Sequence, residues 1–202
     1  LRLVGLALVM LLSLYGCQQP PETAGTVVRK VIAAHAGKGR LSQVEGFLFH
    51  GHVQALSGDQ HGKLWILLRQ PEKLRVVVEG ENSKEDRLYL DGRGWLDEGE
   101  GMVRATGPDY ELMKFQAEHL TLPFGLHKNK YRVRLAEEIV AGQPVRLILT
   151  DADGIETKIS IDPVRWVIRT AERAIDIKGR EVLLGVAYEE YRSIKGVQLP
   201  HR

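Results

Sequence analysis

Leu64-Trp65-Ile66-Leu67-Leu68-Arg69-Gln70-Pro71 decides the fold. Five apolar residues in a row, opened by Lys63 and closed by Arg69, are too few for an ordinary helix. They suit a strand that is apolar on both faces. Gln70-Pro71-Glu72 ends it, because proline has no amide hydrogen to give a sheet ladder. A strand of this kind needs cover on one side. Its other side is free to line an interior.

The flanking segments extend that strand into a meander. Residues 43 to 56 alternate, with Phe47, Phe49, Val53 and Ala55 on one side, and Ser57-Gly58-Asp59 marks a turn. Leu74 to Val78, Arg87 to Leu90 and Gly94 to Asp97 follow at the short spacing of an antiparallel sheet. Upstream, Val27, Val28, Val31, Ile32 and His35 recur at helical spacing. They predict a helix from about 25 to 36, capped by Thr23 or Thr26 and ended by Gly37 and Gly39.

Pro108 to Leu120 interrupts the strands with a second helical pattern, and Leu112, Phe115 and Leu120 belong to its wide apolar face. Core packing and a movable lid over a greasy site need the same pattern. Leu122 to Leu126 stays apolar but holds Pro123 and Gly125, which predicts a hydrophobic loop, either buried or facing a membrane. Strands resume at Tyr131 to Glu138, Val145 to Thr150 and Ile155 to Ile161. Asp151-Ala152-Asp153-Gly154 forms the turn between the last two. Val164 to Ile177 and Glu181 to Arg192 complete the set. The expected class is mainly β with α. A strongly curved antiparallel sheet, an incomplete barrel, is covered by the N-terminal and mid-chain helices.

The N-terminus carries a different message. An apolar run from Leu1 ends in Leu12-Ser13-Leu14-Tyr15-Gly16-Cys17, followed by Gln18-Gln19-Pro20-Pro21. The run is shorter than the roughly 20 apolar residues of a spanning helix. It has the form of a signal peptide and resembles a bacterial lipobox, with an aliphatic residue, a small residue and then the cysteine that takes the lipid. The expected organisation is a leader over 1–16, a lipidated tether over 17–24 and one domain over 25–202. Gln18 replaces the aspartate that marks inner-membrane retention. This implies a lipid anchor at Cys17 on the periplasmic face of the outer membrane.

Composition narrows the function. The chain has 202 residues, 44% hydrophobic and 27% charged, with a formal charge of +2. That balance suits a globular core and argues against nucleic acid, which needs a concentrated basic patch. Cys17 is the only cysteine, so no disulfide forms within the chain. His50, His52 and His61 are the best metal candidates, but zinc wants three or four converging ligands, and a surface role fits them better. Asp151, Asp153 and Gly154 suit a turn, since no glutamate closes a calcium loop. Glu137-Glu138 and Glu189-Glu190 face opposite sides of strands, and no Gly-x-Ser-x-Gly occurs. The sequence therefore predicts no enzyme, no cofactor and no metal.

Taken in order, several pieces resemble the lipoprotein-localisation (LolA/LolB-like) superfamily. They are the amphipathic helix before the first strand pair, the Leu64 to Pro71 stretch, the hairpin Asp91-Gly92-Arg93-Gly94-Trp95, Ile161-Asp162-Pro163, and Gly196-Val197-Gln198-Leu199-Pro200. The resemblance implies a half-barrel with a helical lid and an apolar cavity for the acyl chains of lipids or lipoproteins. It also implies a lipoprotein-transport partner. Phe47, Phe49, Trp65, Leu67, Val76, Val78, Leu112, Phe115, Leu120 and Trp166 are the cavity candidates. In the soluble shuttle an arginine directly before proline holds the lid closed. Here Gln70 intervenes, and the role passes to Arg69. An envelope scaffold with a filled interior, and a hydrolase without a recognisable motif, remain as alternatives.

Overall fold

A computed structural model describes residues 22–54, 61–70 and 72–202. The leader, Cys17, the tether through residue 21, the turn at 57–59 and Pro71 lie outside the described residues.

Helix α1 (Ala24–His35) starts where Thr23 Oγ1 accepts the Thr26 amide at 3.2 Å. Val27, Val31, Ile32 and His35 form its buried stripe. The chain turns at Gly37, whose φ of +68° suits a residue without a Cβ. It then makes one more turn, α2 (Gly37–Leu41), instead of ending at the glycines as expected. Leu41, 1% exposed, holds that turn to the core. Full burial of a leucine contributes about 1.5–3 kcal/mol, enough to offset the glycine propensity.

Six strands follow as an antiparallel meander in sequence order: β1 (Gly46–Gln54), β2 (His61–Arg69), β3 (Lys73–Gly80), β4 (Lys84–Leu90), β5 (Arg93–Asp97) and β6 (Val103–Arg104). Helices α3 (Gly107–Leu120) and α4 (Leu122–His127) come next. The second sheet holds β7 (Arg132–Leu135), β8 (Val145–Thr150), β9 (Glu156–Ile161), β10 (Ile168–Ile177) and β11 (Arg180–Ala187), again antiparallel neighbours in sequence. A two-stranded ribbon, β12 (Arg192–Ile194) with β13 (Val197–Leu199), ends the chain.

The protein is thus mainly β with few helices, and its antiparallel sheets do not close into a barrel. The single curved sheet of the sequence reading is divided in two, because α3 and α4 stand between β6 and β7. Helix α3 bridges the halves, packing on β4 and β5 of the first sheet and on β10 of the second. Two cores result. One joins Met113 and Ala117 of α3 to Ile66, Leu68, Leu74, Val76 and Tyr89. The other gathers α1, α4 and Phe115 over Leu147, Leu149, Ile159, Ile161 and Ile168. Phe47 packs against both.

Three local expectations change. Leu122–His127 is a helix, not a loop: Pro123 sits in its first turn, where a missing amide hydrogen costs nothing. Gly125 packs against Tyr131, whose Cε2 would lie 2.6 Å from an added Cβ. The strand expected from Val164 starts at Ile168, because Asp162 Oδ1 accepts the Val164 and Arg165 amides at 2.9 and 2.8 Å and holds a turn. The strand expected to reach Arg192 ends at Ala187.

Candidate functional site

Register sorts the cavity candidates by face. Phe47 stands opposite Leu68, and Phe49 opposite Ile66. Ile66 in turn pairs with Val76, and Leu64 with Val78. Side chains directly across an antiparallel pair share a face. Phe47, Phe49, Val76 and Val78 therefore lie with Ile66 and Leu68 on the face that α3 covers.

Trp65 and Leu67 are the corrections. Alternation along β2 turns them to the opposite face, where Leu67 is 53% exposed. Five successive apolar residues carry no alternation from which to choose the inner set. On α3, Phe115 is buried in the core of the second sheet, Leu120 packs toward the first, and Leu112 is exposed, so Leu112 is not an interior residue either. Trp166 packs on the second core with the Lys30 ammonium 4.0 Å above its ring. It does not meet the β1 phenylalanines.

The space that remains open lies along β1. Its outer edge pairs with no strand among the described residues, and the ribbon β12–β13 faces it. Between them is a cleft of about 710 Å³, within the range of small-molecule sites. Val44, Phe47 and Phe49 form one wall, and Ile194, Val197 and Leu199 form the other. Leu48, 71% exposed, stands at its mouth. Arg40, Lys195 and His201 also line it, so an apolar slot carries basic groups at its margin. Arg40 donates to the Lys195 carbonyl at 3.3 Å. Its guanidinium occupies the place of a Cβ at Gly196, where Nη1 would be 1.6 Å away. Phe47 meets Phe124 of α4 at 5.3 Å and Phe49 at 5.9 Å between ring centroids. The back of the slot is thus built on both cores.

Of this cleft, sequence reasoning found Phe47 and Phe49. It missed Val44, Arg40 and the ribbon. Gly196 to Pro200 was legible as a strand, but its place beside β1, about 150 residues earlier, carried no local signal.

A second cavity of about 360 Å³ lies at the other end of the first sheet, lined by charged and apolar side chains together. Several of its charges are paired with one another. Lys114 Nζ reaches Asp153 at 2.6 Å and Asp151 at 3.3 Å, and Lys130 reaches Glu72 at 2.5 Å. Arg69 is at the rim, exposed, and makes no hydrogen bond or ion pair with a described residue. It shares this cavity with Tyr110, Lys114 and Glu118 of α3. The ion pairs that tie α3 to the second sheet are those of Lys114 and of Glu118, which pairs with Arg173 of β10. Arg173 is 1% exposed, donates to Thr157 Oγ1 at 3.0 and 2.7 Å, and stacks 5.5 Å from the Phe115 ring. Burial raises the Glu118 carboxyl above its usual range, against the opposing pull of Arg173. His119, between Phe115 and Tyr188, is pushed down to about 4, first by burial and then by the Arg173 charge.

The histidines that were the metal candidates do not converge. His50, His52 and His61 are exposed on β1 and β2. Among the described residues, no group of three or more His, Cys, Asp or Glu is placed to hold an ion. Asp151 Oδ1 accepts the Asp153 and Ile155 amides at 2.9 Å each, which is a hairpin turn.

No protein-family model matches the sequence, and no curated protein matches it. Among solved structures, the chain is similar to a LolA superfamily protein from Nitrosomonas europaea. The TM-score is 0.52 with 15% identity, over 89% of this chain and 83% of that one. The fold is LolA-like.

Proposed function

We propose, from a LolA-like fold with an apolar slot along its open edge, that this protein is a carrier or acceptor that binds acyl chains in the bacterial cell envelope. Its cargo is a lipid or the acyl chains of a lipoprotein. It is anchored through lipidated Cys17 on the periplasmic face of the outer membrane and works with a lipoprotein-transport partner. The observation that carries this reading is the cleft between β1 and the β12–β13 ribbon, with hydrocarbon walls and a basic margin. Such a site suits a chain with an anionic head. Each methylene removed from water contributes about 0.8 kcal/mol, so a tail held along Phe47, Phe49, Val197 and Leu199 offsets much of its extraction from a bilayer. Binding and release need no covalent chemistry.

A filled interior favours the scaffold alternative in part: beneath α1 and α4 the second core is packed around Leu41, Leu122 and Leu149. Cargo is therefore assigned to the edge cleft and not to the centre of the fold.

The test is lipid uptake. Purified protein is examined by mass spectrometry for co-purifying lipid and titrated with a fluorescent fatty acid. Losing the buried phenyl surface of Phe49, worth about 1.5–3 kcal/mol, predicts at least a tenfold weaker affinity for Phe49→Asp, with Val197→Asp behaving alike. No bound lipid and no probe binding in the parent protein would transfer the assignment to the scaffold. In cells, Cys17→Ser is expected to leave the precursor uncut and free of membranes.

A further inference from the structure

The face of the first sheet turned away from α3 has an unusual composition. Its cross-strand row runs Leu48, Leu67, Arg75, Leu88, Trp95 and Arg104. The next row toward the β2–β3 turn runs Gly46, Arg69, Lys73, Leu90 and Arg93. Five basic residues share these two rows with apolar side chains, and no acid stands in either. Trp65 and Val77 pair in the adjoining row, on the same face. None of these apolar residues belongs to either core.

Acids stand outside the two basic rows. Asp86 and Asp97 share the adjoining row with Trp65 and Val77, Asp86 pairing with Arg75 at 2.5 Å, and Glu79 lies farther along β3. In the turns, Glu72 is held by Lys130 and Asp91 is exposed. Arg69, Lys73, Arg93 and Arg104 make no ion pair with a described residue.

We infer that this face docks on an anionic lipid bilayer. Charge complementarity selects the occupant: unpaired guanidinium and ammonium groups among leucines fit a surface of phosphates over hydrocarbon. Lys and Arg side chains lay their stems on apolar surface and keep their charges at headgroup level. Trp rings favour the same depth, and Trp65 and Trp95 are both on this face. Docking here is independent of what the edge cleft carries. It orients the protein on the membrane with the β1 edge, and so the cleft mouth at Leu48, beside the lipid.

The experiment uses the chain from residue 17 onward carrying Cys17→Ser, which keeps every described residue, so that neither the apolar leader nor an acyl anchor contributes. Its binding is compared between vesicles of phosphatidylglycerol with phosphatidylethanolamine and vesicles of phosphatidylcholine alone. The expected result is partitioning to the anionic vesicles that weakens with salt, with a blue shift of tryptophan emission. Each basic residue near an anionic surface contributes about fivefold. Arg69→Glu with Arg93→Glu therefore predicts a loss of roughly 25-fold or more. Leu67→Asp with Leu88→Asp is expected to abolish the blue shift. Lys158→Glu with Arg180→Glu, on the second sheet, is expected to change little. Circular dichroism verifies that each variant is folded, and fatty-acid titration of the Arg69/Arg93 and Leu67/Leu88 variants reports on the cleft separately. Equal binding to neutral vesicles, no binding to either, or an equal loss from the Lys158/Arg180 variant would overturn the inference. So would self-association that depends on Leu67 without vesicle binding, which would assign the face to a second copy of the chain.

Discussion

Removing the Glu118 carboxylate strips the buried Arg173 guanidinium of its only ion-pair partner among the described residues. Arg173 is 1% exposed, and what remains beside it includes the Thr157 hydroxyl, the Phe115 ring and the neutral His119. Breaking a buried pair from one side costs about 3–5 kcal/mol. The Glu118 side chain is 23% exposed, so water reaches the vacated site and the lower end applies, about 3 kcal/mol. In a chain of this size each kcal/mol moves the melting temperature by about 2–4 °C, so Glu118→Leu is expected to melt about 6–12 °C lower. The double replacement Glu118→Leu with Arg173→Met removes both charges. It is expected to recover most of that loss, because apolar substitutes avoid the desolvation cost altogether. Thermal unfolding by circular dichroism on the three proteins decides the matter. A shift under about 2 °C for the single variant, or a double variant no more stable than the single, would refute the pairing as the tie between α3 and β10.

His119 predicts how the protein responds to acid. Its pKa falls from 6.5 unfolded to about 4 folded, so the folded state keeps the ring neutral while the unfolded chain takes up a proton. The stability this provides is full above pH 6.5 and is lost as pH falls toward 4, about 3 kcal/mol in all. Glu118, with its carboxyl raised, works in the opposite sense and partly offsets the loss. Urea unfolding across this range should show a flatter pH dependence for His119→Gln, and an unchanged slope would contradict the assignment. Gly46 predicts a backbone clash: an added Cβ would sit 2.3 Å from the Leu68 carbonyl oxygen and 3.2 Å from Arg69 Cα. Neither atom can swing aside, so Gly46→Ala should cost about 1–3 kcal/mol in a denaturant titration, and a neutral result would mean that β1 shifts without penalty.

Where a segment had one dominant period, its structure was legible. Val27, Val31 and Ile32 placed α1 within a residue of its bounds, and the alternation at Phe47 and Phe49 identified the inner face of β1. Where the period vanished, so did the information. Leu64 to Leu68 marked a strand without saying which side faced in, and Trp65 and Leu67 were misassigned for that reason. Leu122 to Leu126 suggested a loop because Pro123 and Gly125 discourage helix in general, although proline is harmless in a first turn and Gly125 is required by the nearby Tyr131. The ties that hold α3, Glu118 with Arg173 and Lys114 with Asp151 and Asp153, join residues dozens of positions apart and leave no local trace. The cleft depends on the same kind of distance, since the ribbon meets β1 only in the folded chain.

Phe47 is the one β1 side chain that belongs to both apolar clusters, and the six-stranded and five-stranded halves share no ladder. Cooperativity between the halves therefore runs through a narrow seam: this ring, its contact with Phe124, α3, and the polar ties of Lys130 to Glu72 and Lys128 to Gln70. Each half can loosen as a separate foldon at a free energy below that of global unfolding. The seam borders the β1 edge, so the first sub-global opening of the molecule is expected to widen the cleft beside that strand.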